Sequence, residues 1–112
     1  MLYTELTVNN KVYKLRLNTR NTVALEKAIG CNPLAIFGDG DTIPKIQTMV
    51  YVLFYSLNQY QHSLSIDDAY NIFDEYLEEH SATDFINVIV DIYKTSGLIR
   101  QNESSGNEEI KN

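Results

Sequence analysis

The apolar positions of this chain change their spacing from one end to the other, and each change marks a new element. In residues 2–17 they tend to alternate: Leu2, Leu6 and Val8 share one phase, while Val12, Leu15 and Leu17 are less regular. Asn9-Asn10 tolerates the positive φ of a two-residue turn, so the spacing predicts a hairpin with strands at 2–8 and 11–17. Tyr3 and Tyr13 are candidate cross-strand contacts on it. A hairpin alone is marginal in water and has to lie on helices or pair with another strand. From residue 19 the period becomes helical. Asn18 or Thr19 can cap a helix over 19–29 with Leu25, Ala28 and Ile29 on one face, and Gly30 fits the left-handed position that ends it. Asn32-Pro33 starts a short turn over 33–37, and Gly38-Asp39-Gly40-Asp41 breaks the chain again.

The stretch over 43–60 then carries no charge after Lys45, and its residues 49–55 are an unbroken apolar run. It is too long for a buried strand, which usually ends after about 4–8 residues. Gln47, Ser56, Asn58 and Gln59 interrupt it too often for a bilayer span of about 20 apolar residues. Met, Leu and Gln favour a helix, Pro44 suits a first turn, and Asp41 or Thr42 is available as cap. A helix apolar on nearly every side has to be packed on nearly every side, which makes this one the centre of the fold.

Two further helices follow. Ser65 and Asp68 form a capping-box-like pair at the start of a helix over 65–80, with Ile66, Ala69, Tyr70, Phe73, Tyr76 and Leu77 as its buried face. Ser81 or Thr83 opens a last helix over 83–96, which Lys94 and Gly97 close. Residues 100–112 contain one large apolar side chain, Ile110, and read as a flexible tail or linker. The pattern predicts an α+β, mostly α fold: one domain over residues 1–99, an N-terminal β-hairpin packed on a small bundle of about four helices.

Composition narrows the functional classes. With 112 residues, 44% of them hydrophobic, the chain has material for one core. A formal net charge of −6 and scattered bases argue against nucleic-acid binding. Cys31, the single cysteine, excludes an intrachain disulfide and reads as a small, partly buried residue in a reducing compartment. The N-terminal residues lack the basic-then-apolar order of a signal peptide. Asp39-Gly40-Asp41 hints at a calcium loop, but Ile43 and Pro44 occupy positions such a loop needs for a ligand and a glycine. His62 and His80 have no inward-facing ligand partner at helical spacing, and no phosphate loop or nucleophile signature occurs. No cofactor, metal site or enzymatic activity is expected. Between residues 66 and 91, however, stand eight acidic residues and no Lys or Arg. Such a surface serves either solubility or docking of basic, amphipathic partner segments. Asp67, Asp74, Glu75, Glu78 and Glu79 are its candidate contacts. Tyr51 and Tyr55 join them, because these two and Tyr60 cannot all face one core from a single helix, and tyrosine is enriched at interfaces.

Three stretches carry a family resemblance: NTRNTVALEKAIGCNPLAIF at 18–37, SIDDAYNIFDEYL at 65–77 and DFINVIVDIYKTSGLI at 84–99. Together they resemble the tail assembly chaperones of long-tailed bacteriophages and prophages of Gram-positive bacteria, over roughly residues 5–99. The resemblance implies a small, helical, non-enzymatic protein of the host cytoplasm, absent from the mature virion. It would bind the tape measure protein, keep it soluble until tail-tube subunits polymerise around it, and self-associate along that client. It also implies, as for many members, a longer frameshifted form that recruits tail-tube protein. Beyond the resemblance, residues 101–112 are expected to be the linker to such an extension, with A-rich codons for Lys111-Asn112 as the slip site. The other readings are a virion component such as a head–tail joining protein, and an acidic regulatory protein.

Overall fold

The computed structural model describes residues 2–37 and 43–100. The chain forms β1 (Thr4–Val8), β2 (Lys11–Leu15), α1 (Thr19–Ile29), a 3-10 turn (Pro33–Ala35), α2 (Ile46–Leu57), α3 (Ile66–Tyr76) and α4 (Ala82–Thr95). This is the α+β, mostly helical architecture that the spacing predicts: an antiparallel hairpin against four α-helices. The expected loop over residues 38–41, the caps Asp41 and Thr42, and the tail at 101–112 lie outside the described residues.

α2 is the hub, in contact with α1, α3, α4 and β2. Met49, Val50, Val52, Leu53 and Leu57 are fully enclosed, as are Leu25 of α1 and Phe85, Ile89 and Ile92 of α4. Ser56 is also buried, and its hydroxyl donates to the Leu53 carbonyl at 2.9 Å, so its polarity is satisfied within the helix. α2 is shorter than the apolar stretch suggests. Lys45 is still extended at ψ 151° and offers no side-chain cap, so Pro44 precedes the helix instead of occupying its first turn.

Local signals set the other boundaries. Asn9 and Asn10 take φ of 51° and 66°, the positive values of the tight turn. Asn18 accepts from the Asn21 amide, and Gly30 closes α1 at φ 78°. Ser65 with Asp68, and Ser81 with Asp84, form complete capping boxes, satisfying amides that a helix start would otherwise leave orphaned. α3 ends at Tyr76, not at 80, because Glu78 and Glu79 donate three residues back and tighten the chain out of the α-helix. Tyr93 locks the 3-10 turn onto α4: its buried hydroxyl donates to the Pro33 carbonyl at 2.8 Å, and burial pushes its pKa well up.

Several side chains face otherwise than their spacing suggests. α3 buries Ala69, Ile72, Phe73 and Tyr76, leaving Tyr70 41% and Leu77 39% exposed. Two apolar stripes overlap on this helix, and the one containing Ile72 is the one turned inward. Ala28 and Cys31 are exposed, so Cys31 is not the partly buried residue its type suggests. Leu2 is 67% exposed although it shares the phase of Leu6 and Val8. Tyr3 and Tyr13 are not cross-strand partners. Tyr13 pairs with Leu6 on the buried side, while Tyr3 packs edge-on against Tyr60 at 5.5 Å, with the Lys14 ammonium 5.0 Å from its ring.

The hairpin is fastened to α2 along the free side of β2. Gln61 accepts from the Lys14 amide and donates to the Lys14 carbonyl, both at 2.9 Å, and the Arg16 amide donates to the Ser56 carbonyl at 2.8 Å. A side-chain amide here fills the place of a neighbouring strand. Gln61→Ala should therefore lower the unfolding free energy by about 1–2 kcal/mol, measured by urea denaturation with an unchanged m-value.

Candidate functional site

The eight acidic residues between 66 and 91 do not form one surface. Asp68 and Asp84 are the return halves of the two capping boxes, their carboxylates accepting from the Ser65 and Ser81 amides at 2.8 and 2.9 Å. Glu75 is half-buried on the flank of α3 that meets the hairpin. There it borders, with Asp68, Val8, Lys11 and Tyr13, a cavity of about 300 Å3. Burial, and then the charges of Glu75 and Asp68, raise the Tyr13 pKa. Glu75 thus does not belong to the outward acidic face on which its spacing places it.

The outward face consists of Asp67 and Asp74 on α3, with Glu78 and Glu79 in the turn that follows, all exposed. Tyr70 lies three residues from Asp67 and four from Asp74, and Leu77 three beyond Asp74, so these apolar side chains neighbour the carboxylates on the helix surface. The sequence holds this feature, since residues 70 and 77 recur at helical spacing, but the same spacing assigns both to the core. The surface is therefore acidic and apolar together. It can accept a segment that presents bases beside aliphatic side chains.

Tyr51 and Tyr55 form a second patch. Both are half-buried on the outer side of α2, with ring centroids 6.5 Å apart, and Phe54 meets Tyr55 edge-on at 4.8 Å. Phe54 completes this aromatic ridge, and its position one turn before Asn58 in an uncharged run is the only sequence signal for it. No hydrogen bond or ring contact among the described residues joins the ridge to the acidic residues of α3. Tyr60, also outward, is occupied by Tyr3 and by Lys14, whose ammonium is 5.9 Å from the Tyr60 ring.

Among the described residues there is no group of three or more His, Cys, Asp and Glu placed to hold a metal ion. His62 is exposed. His80 stacks on Tyr76 at 4.6 Å, and its Nδ1 is 3.9 Å from the Asp84 carboxylate. A cavity of about 290 Å3 between α1 and the start of α2 is lined by Ile29, Cys31, Ile36, Pro44, Lys45 and Tyr51, among others, with no His, Asp or Glu among the described residues that line it. No described helix is long and apolar enough to cross a membrane.

Asp84 carries the clearest electrostatic consequence. The hydrogen bond from the Ser81 backbone, together with the Ser81 hydroxyl and His80, holds its pKa below the ordinary carboxylate value. A carboxylate depressed in the folded state stabilises above its unfolded pKa of about 3.9 and loses that contribution as pH falls through the lower folded value. Asp84→Asn should therefore flatten the loss of stability below about pH 4, seen as a smaller drop in Tm across an acid titration. Comparison with protein-family models, with curated proteins and with solved structures finds no match for this chain.

Proposed function

We propose that this chain acts as a phage tail assembly chaperone, binding the tape measure protein and keeping it soluble until the tail tube polymerises around it. The sequence resemblance over the blocks at 18–37, 65–77 and 84–99 supplies the family. The observation that carries client binding is the outer face of α3, where exposed Asp67, Tyr70, Asp74 and Leu77 alternate charge with apolar surface. Such a face suits one side of an amphipathic helix bearing Lys or Arg: the apolar side chains give contact area, and the carboxylates give orientation and steering. Each contact is small, so a long helical client would be held by many copies acting through effective concentration. The aromatic ridge of Tyr51, Phe54 and Tyr55 is a second contact zone. The protein works in the host cytoplasm, with the tape measure protein as its client and the tail-tube protein reached through a longer form.

Co-expression with the tape measure protein, followed by pull-down and size-exclusion chromatography, tests this reading. A soluble complex with several copies of this chain per client supports it. A client that stays insoluble while this chain elutes alone removes it, and finding the chain in purified particles by mass spectrometry makes it a virion component instead. Within the complex, Asp74→Lys with Glu78→Lys should weaken binding in a salt-dependent way, because both positions are exposed and outside the capping boxes. Urea denaturation of the same variant should change the unfolding free energy by no more than about 0.5 kcal/mol.

A further inference from the structure

The two edges of the hairpin are finished differently. The tight turn and the register Val8↔Lys11, Leu6↔Tyr13 and Thr4↔Leu15 make these the pairs that exchange backbone hydrogen bonds. Residues between them point their amides and carbonyls away from the partner strand. On β2 the outward groups of Lys14 are taken by the Gln61 side chain, and the next outward amide, that of Arg16, by the Ser56 carbonyl. Among the described residues only Val12 is left unpaired on that edge, and a single residue cannot carry a ladder. On β1 the outward groups belong to Glu5 and Thr7, which are exposed and make no hydrogen bond to any described residue beyond the hairpin. β1 is an open edge strand, a template for another extended backbone.

We propose that this edge pairs with β1 of a second copy of the chain, antiparallel about a two-fold axis through Leu6, to give one sheet in the order β2-β1-β1-β2. The segment Thr4–Val8 is self-complementary in this register. Glu5 stands opposite Thr7 of the second copy, and each such pair exchanges both backbone hydrogen bonds. No glutamate faces a glutamate. On the solvent side each row reads Lys14, Glu5, then Thr7 and Val12 of the second copy, so Glu5 stays beside the lysine already opposite it. On the helix side the two copies of Leu6 become neighbours and extend the buried apolar face. Within the hairpin, Glu5 is the one carboxylate beside Lys11 and Lys14, so the paired strands themselves carry no excess of negative charge. With the β2 edge blocked, the described residues leave one open edge per chain, and the pairing closes at a dimer instead of running on. The pairing rests on the hairpin and not on the chaperone reading, so each can fail without the other.

The test uses the full chain alone, without client. Sedimentation equilibrium over a wide concentration range should show a monomer–dimer equilibrium, and hydrogen exchange should show the Glu5 and Thr7 amides gaining protection as concentration rises, with Val12 unchanged. Thr7→Pro removes an amide that the monomer leaves unpaired, so it should keep the circular dichroism of the fold while weakening dimerisation by at least about tenfold. Val12→Pro, the equivalent change on the other edge, should leave dimerisation intact. The proposal is overturned if the wild-type chain is monomeric at all concentrations with Glu5 and Thr7 exchanging freely. It is equally overturned by a dimer in which those amides stay unprotected, or by protection that arises only when client is added. The exchange measurement decides the matter on the wild-type chain even if Thr7→Pro does not fold.

Discussion

Enclosing α2 is the constraint on which the other elements depend. Twelve residues without a charge form a helix that water cannot solvate on most of its circumference. No single neighbour can cover it, so α1, α3, α4 and β2 each take a sector. The hairpin gains a surface to lie on, and the helices gain a common partner. This explains why an isolated two-stranded sheet persists here: its inner residues Leu6, Val8, Tyr13 and Leu15 complete a core that the helices leave open on one side. Changes in α2 would consequently be felt throughout the domain, whereas changes in the outer turns remain local.

Around that centre, the acidic residues divide between architecture and surface. Asp68 and Asp84 spend their charge on helix starts, where amide donors and the helix dipole favour a carboxylate. Glu75 faces the hairpin. What remains outward on α3 is Asp67 and Asp74, interleaved with Tyr70 and Leu77. That mixture of carboxylates with a partly exposed tyrosine and leucine is the physical basis for proposing the face as a docking surface.

Signals contained within a few residues were legible in the sequence. The Asn9-Asn10 turn, the Asn18 and Asn32 caps, Gly30 and the Ser65–Asp68 pair each act through bonds that span at most four residues, so no tertiary knowledge is needed to place them. Orientation was less legible. Whether Tyr70 or Ile72 enters the core depends on where α3 meets the hairpin and α2, which the helix period alone does not contain. Glu75 was misplaced for the same reason. The fastening of Gln61 to Lys14 joins residues 47 apart, and a polar side chain on a loop gives no hint of such a partner. Of the candidate surface, the acidic content could be read directly, but its division into caps, a hairpin-facing residue and an outward face needed the packing.

Cys31 turns from a composition detail into a practical property of the molecule. One thiol per chain stands at the surface just after α1, remote in sequence from both the open strand and the outer face of α3. A thiol-reactive dye would mark every copy once, at an identical place, with no engineered residue. Fluorescence per particle then counts subunits directly, and energy transfer between labelled copies gauges their separation in any assembly they form.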